Sequence, residues 1–135
     1  MKKLIACGLT ISVVFALVLI AGGAEKPAEK DANMGKLRHV VLFKFKDDTK
    51  AEDVKKVEDA FRALPSKVPT IKDFEWGTNN SPEGHDAGFT HCFFLTFDNA
   101  AGRAVYLPHP AHKAFGKVLG PHLDKVLVVD YVVKK

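Results

Sequence analysis

Residues 36–135 read as an α+β domain of ferredoxin-like order, β-α-β-β-α-β: a four-stranded antiparallel sheet with its helices on one face. Three observations predict it. Four short apolar runs of strand length occur, at residues 37–46, 71–79, 89–97 and 126–133, the first with period-2 alternation. Helix-period spacing occupies the intervals between the first and second runs and between the third and fourth. Breaks rich in Gly, Pro and Asn, at residues 80–88 and at Gly120-Pro121, separate the rest.

The first run, LRHVVLFKFK, sets His39, Val41, Phe43 and Phe45 on one side of a strand and Arg38, Val40, Leu42, Lys44 and Lys46 on the other. His39 therefore shares the more apolar face. Thr49 and Glu52 have the spacing of a capping box, and Val54, Val57, Phe61 and Leu64 then recur at helical spacing until Pro65. This predicts a first helix over about residues 50–64 that buries a single stripe.

In the second strand, IKDFEWGTN, Phe74 and Trp76 lie on one side. The third, FTHCFFLTF, is apolar on both faces, which predicts a central position covered on both sides. Asp98 or Asn99 can cap a short helix carrying Arg103, Val105 and Tyr106. Pro108 interrupts it, and Pro110 suits the first turn of a last helix over residues 110–119, with Ala111, Phe115 and Val118 or Leu119 inward. The fourth strand, VLVVDYVV, is broken by one charge, Asp130. With Leu42, Phe94 and Val129 on the sheet face away from the helices, the apolar area exceeds what a soluble monomer tolerates, so a homodimer through that face is expected.

Ahead of the domain, Met1-Lys2-Lys3 is followed by an apolar run to Ala21 and by small residues to Ala24. Residues 1–24 thus read as an export signal, or as a membrane anchor if uncleaved, and the protein is expected in the periplasm or outside the cell. Residues 25–35, charged and poor in large apolar groups, read as a flexible spacer. After cleavage Cys92 is the remaining cysteine, so no intramolecular disulfide is expected and an inert, buried thiol is the default.

Cleavage removes Lys2 and Lys3 and no acidic residue, lowering the formal charge from +4 to +2. The remaining lysines are scattered rather than striped, which argues against nucleic acid as a partner. There is no Gly-rich phosphate fingerprint, Gly-x-Ser-x-Gly elbow, Cys-x-x-Cys pair or His-Glu-x-x-His, so no cofactor or metal is expected. The densest cluster of reactive side chains is Tyr106-Leu107-Pro108-His109-Pro110-Ala111-His112, where two histidines at a helix start present imidazoles to about the same side.

His39, Glu75-Trp76-Gly77, Gly88-Phe89-Thr90-His91, the Tyr-x-x-His-Pro-x-His stretch from Tyr106 to His112, and Asp130-Tyr131 resemble the stress-responsive dimeric A/B barrel (Dabb) family across residues 37–133. The resemblance implies a dimeric α/β barrel. Within the family the motif is most similar to that of a plant polyketide cyclase, a cofactor-free lyase. That likeness implies His112 as general base, Tyr106 as hydrogen-bond donor to a carbonyl or enolate oxygen, Asp130 as the group orienting His112, and His39 in the same pocket. Trp76 and His109 complete the candidate substrate-binding set. An exported protein does not meet cytosolic thioester intermediates, so the first expectation is a dimer that binds a small apolar molecule in a histidine-lined pocket. Cyclase-like turnover by His112 and Tyr106 is the alternative, and a purely structural dimer the third reading.

Overall fold

The computed structural model describes residues 32–134; the expected export signal, and the expected spacer up to residue 31, lie outside the described residues. The elements are β1 (Leu37–Phe45), α1 (Ala51–Arg62), α2 (Leu64–Lys67), β2 (Asp73–Thr78), β3 (His91–Phe97), α3 (Ala100–Tyr106), α4 (Pro110–Leu119) and β4 (Leu123–Val132). All pairings are antiparallel and the strand order is β2-β3-β1-β4, the ferredoxin-like arrangement expected from the order of the runs.

Alternation in β1 turns Leu37, His39, Val41 and Phe43 toward the helices. Above them α1 buries Val57 and Phe61, and α4 buries Phe115 and Leu119. The centre is a cluster of aromatic rings. Phe61 stacks on Phe93 with centroids 4.1 Å apart and meets Phe115 edge-on at 4.7 Å, while Phe43 lies 5.3 Å from Phe93. Each such pair adds about 0.5–1.5 kcal/mol to what its buried area contributes.

The opposite sheet face carries no helix. Val40 faces Phe94 and Val129 across its two ladders, and Leu42 faces Cys92 and Leu127. On the edge strand β4, Leu127, Val129 and Tyr131 are each close to half exposed. β3 is central, as expected, but is covered on one side alone within the chain; its outward Cys92 and Phe94 are half-buried.

Two local readings are corrected. Thr49 and Glu52 form no capping box: the N-cap is Lys50 without a side-chain cap, and the Thr49 hydroxyl donates instead to the His122 carbonyl at 3.4 Å. Pro65 does not stop a helix at Leu64, because α1 ends at Arg62 and Pro65 occupies the first turn of α2, where its missing N–H has no partner to lose. Asn99, one of the two expected caps, accepts from the amides of Ala101 and Gly102.

Candidate functional site

A cavity of about 180 Å³ lies between the β1–β4 half of the sheet and the α3–α4 corner. Sites for drug-sized ligands are commonly about 300–1,000 Å³, so this one suits a smaller molecule. Its walls are mostly apolar, with Val41, Phe61, Phe115, Val126 and Val128 among them, and three polar side chains enter it: His39, Tyr106 and His112.

Each is held by its own element. His39, 6% exposed, sits in β1 directly across the ladder from Asp130 of β4. Its Nδ1–H donates to Asp130 Oδ1 at 2.6 Å, since a carboxylate can only accept, and Asp130 Oδ2 is taken by the Arg103 guanidinium from α3. That leaves Nε2 as the accepting atom of the His39 ring.

His112 occupies the first turn of α4. Its Nδ1–H donates to the Leu107 carbonyl at 2.9 Å, satisfying an acceptor left over at the C-terminus of α3. The Nε2 of His112 is again left with a lone pair.

Between the two imidazoles lies Tyr106, 1% exposed, with ring centroids 5.7 Å from His39 and 4.3 Å from His112. Burial pushes the Tyr106 phenol well above the ordinary tyrosine range, so at neutral pH it is a protonated donor. No hydrogen bond links its hydroxyl to another group among the described residues. One donor and two acceptors therefore face an apolar space, the set needed to grip a carbonyl and a hydroxyl or to move a proton beside a carbonyl.

Three expected placements differ. Asp130 orients His39 rather than His112, because the β1–β4 register brings it across from the former. His109 is the N-cap of α4 with extended ψ, outside the helix, so it does not share a face with His112; its Nδ1 accepts from the Ala111 amide at 3.1 Å. Trp76 does not line the cavity. It belongs to edge strand β2, two strands from β1, and stacks on Phe93 at 5.6 Å with Arg62 over its ring. Arg103 was not singled out for the site from the sequence, although it precedes Tyr106 by three residues on one helix and so shares its face.

A larger cavity of about 410 Å³ lies under the β2–β3 loop, lined by Asn79, Ser81, His85 and Asp86 among others. It is an open groove in which His85 and Asp86 are solvent-exposed, and its buried histidine, His91, has both ring nitrogens engaged: Nε2–H donates to Glu58 Oε1 at 3.0 Å and Nδ1 accepts from the Thr90 hydroxyl at 2.8 Å. The smaller cavity has the converging unpartnered groups. Among the described residues no three His, Cys, Asp or Glu side chains gather as a metal site would require.

Fold and cavity together define a ferredoxin-like α+β domain with a histidine–tyrosine pocket between sheet and helices. Residues 37–133 match the model of the Stress responsive A/B Barrel Domain, Dabb, and the chain belongs to that family. It is similar to a stress-response A/B barrel domain-containing protein of Arabidopsis thaliana, at 37% identity over 99 residues covering 71% of this chain and 85% of the relative. It is 29% identical over 99 residues to the olivetolic acid cyclase of Cannabis sativa, covering 73% and 98%. Among solved structures it is similar to the hydroxynitrile lyase from Passiflora edulis, with TM-score 0.70, 25% identity and coverage of 74% and 94%. A dimeric protein of unknown function and ferredoxin-like fold from Bacteroides fragilis matches with TM-score 0.62, 33% identity and coverage of 74% and 98%.

Proposed function

We propose that the protein is exported, dimerises through its open sheet face, and binds a small, largely apolar molecule in the cavity between His39, Tyr106 and His112. The observation that carries the reading is the pattern of spare hydrogen-bonding atoms. In a chamber otherwise lined mostly by aliphatic and phenyl groups, three polar side chains are each tied down by packing or by one hydrogen bond, and each keeps one atom without a protein partner. Groups left so in an apolar setting favour a ligand that completes them.

A second reading is favoured by His112 in particular. With Nδ1–H held by the Leu107 carbonyl, Nε2 is a fixed base beside a neutral phenol. That pair suits removal of a proton α to a carbonyl, with Tyr106 donating to the oxygen that gains charge. The likeness to a cyclase and to a lyase agrees with this cofactor-free chemistry.

Titration of the purified protein with neutral aryl and alkyl ketones, wild type beside His112→Ala, separates the readings. Binding that weakens in the variant, with no product formed, is the expected result; product that disappears in the variant selects the second reading, and absence of any binding refutes both. Dimerisation draws support from the exposed apolar residues of β4 and from the dimeric structural neighbour. A dimeric mass at micromolar concentration that becomes monomeric in Val129→Asp is expected, and a monomeric wild type would contradict it. Export is checked by N-terminal sequencing of the mature protein, which is expected to begin near residue 25.

A further inference from the structure

We infer that Arg103 is a positioning residue of the cavity: by holding Asp130 in place it fixes the His39 ring with Nδ1–H on Asp130 and Nε2 left over as an acceptor, so the site takes an uncharged ligand that donates a hydrogen bond, a hydroxy-carbonyl compound rather than a carboxylate. The ligand class rests on the pocket-binding reading above; the role of Arg103 does not.

Asp130 has two carboxylate oxygens and both are committed. Oδ1 receives the His39 Nδ1–H at 2.6 Å, and Oδ2 receives the Arg103 Nη1–H. The Asp130 side chain is 27% exposed and that of Arg103 28%, so the pair is partly withdrawn from water. Without Arg103 the Asp130 carboxylate would be free to turn away from His39, and Nδ1 would lose the acceptor that holds its proton there. The guanidinium fixes the rotamer of that carboxylate, so the ring keeps its Nδ1–H turned toward Asp130. The rings against His39 are Phe97, which is apolar, and Tyr106, held neutral by burial; His112 shares the cavity with it, and Asp130, itself held by Arg103, is its hydrogen-bond partner.

The same geometry selects against anions. No Lys or Arg lines the cavity, and Arg103, three residues before Tyr106 on α3, is already engaged with Asp130. A ligand carboxylate would enter an apolar chamber with two lone-pair nitrogens and no counter-charge, an unfavourable burial. A ligand hydroxyl or enol finds an acceptor at His39 or His112, and its carbonyl finds the Tyr106 donor.

Nitrogen-15 spectra of the imidazoles in the ligand-free full chain test the positioning role, with wild type, Arg103→Gln and Arg103→Lys compared at pH 7. His39 is expected as the Nδ1–H form in wild type; in R103Q the share of the Nε2–H tautomer rises about threefold or more, and R103K restores most of the wild-type state. Amide spectra verify that the fold is retained, and a purely structural arginine would leave the His39 nitrogen signals unmoved. The binding arm uses 2-hydroxyacetophenone and phenylacetate: wild type is expected to favour the hydroxy ketone by about tenfold or more, a difference of about 1.4 kcal/mol, and R103Q to narrow that ratio. His39 signals identical in wild type and R103Q would overturn the inference. His39 signals that respond as expected while neither probe binds would uphold the positioning role and remove the pocket reading and the ligand class with it.

Discussion

Two buried histidines paired with carboxylates sit on the same sheet face, and they differ in what is left over. His91, 8% exposed, uses both nitrogens, stacks beside Trp76 and meets Phe45 edge-on at 5.0 Å. His39 is as deeply buried and as closely paired, yet one nitrogen borders an apolar cavity shared with Tyr106 and His112. A buried histidine–acid pair is therefore not a functional mark by itself. The spare atom and the space beside it separate a site from a strut.

The largest effect that would break this contrast is on stability. His91→Ala leaves the partly buried Glu58 without its partner and opens a void beside Trp76, and a loss of about 2–3 kcal/mol is expected. At about 4–8 °C per kcal/mol for a domain near this size, thermal melting should fall by roughly 10–20 °C while ketone affinity stays unchanged. His112→Ala should behave in the opposite way. Its imidazole relieves a carbonyl that water can also reach, so the melting temperature shifts by a few degrees, whereas affinity falls by about tenfold in the titration.

Tyr106→Phe has the smallest effect at neutral pH and a larger one in alkali. Burial raises the Tyr106 phenol in the folded protein above its unfolded value of about 10, so above that pH the unfolded chain holds fewer protons than the folded one. Stability contributed by the protonated phenol is complete below about pH 10 and declines above it, by up to about 1.4 kcal/mol per pH unit. Urea midpoints taken from pH 8 to 11 should fall more steeply in wild type than in the phenylalanine variant; parallel curves would mean that Tyr106 is not held neutral by burial.

Much of the fold was legible because it depends on local period. Alternation put His39 with Val41 and Phe43, and the helix-period stretches and Gly-Pro breaks placed α1 and α4 to within a few residues. The central β3 was readable from its two apolar faces, and its bare outward face at Phe94 followed from an order of elements that puts the helices on one side of the sheet. Thr49 had cap spacing and lost that role to a carbonyl far away in sequence, at His122.

The site divided along the same line. Tyr106 and His112 were visible in one short motif, and His39 in strand parity. The partner of Asp130 was not, because it depends on the pairing of residues 39 and 130 across β1 and β4. His109 misled because the helix begins one residue after it, and Trp76 because a shared face says nothing about which strand of the sheet lies under the cavity.

The most direct test follows the imidazole nitrogens of all six histidines while 2-hydroxyacetophenone is added to saturation. The Nε2 signals of His39 and His112 are expected to move together with one dissociation constant while both nitrogens of His91 stay in place. Movement at His91 with His39 and His112 unchanged, or no movement at any histidine, would contradict the assignment of the binding site to the His39–Tyr106–His112 cavity.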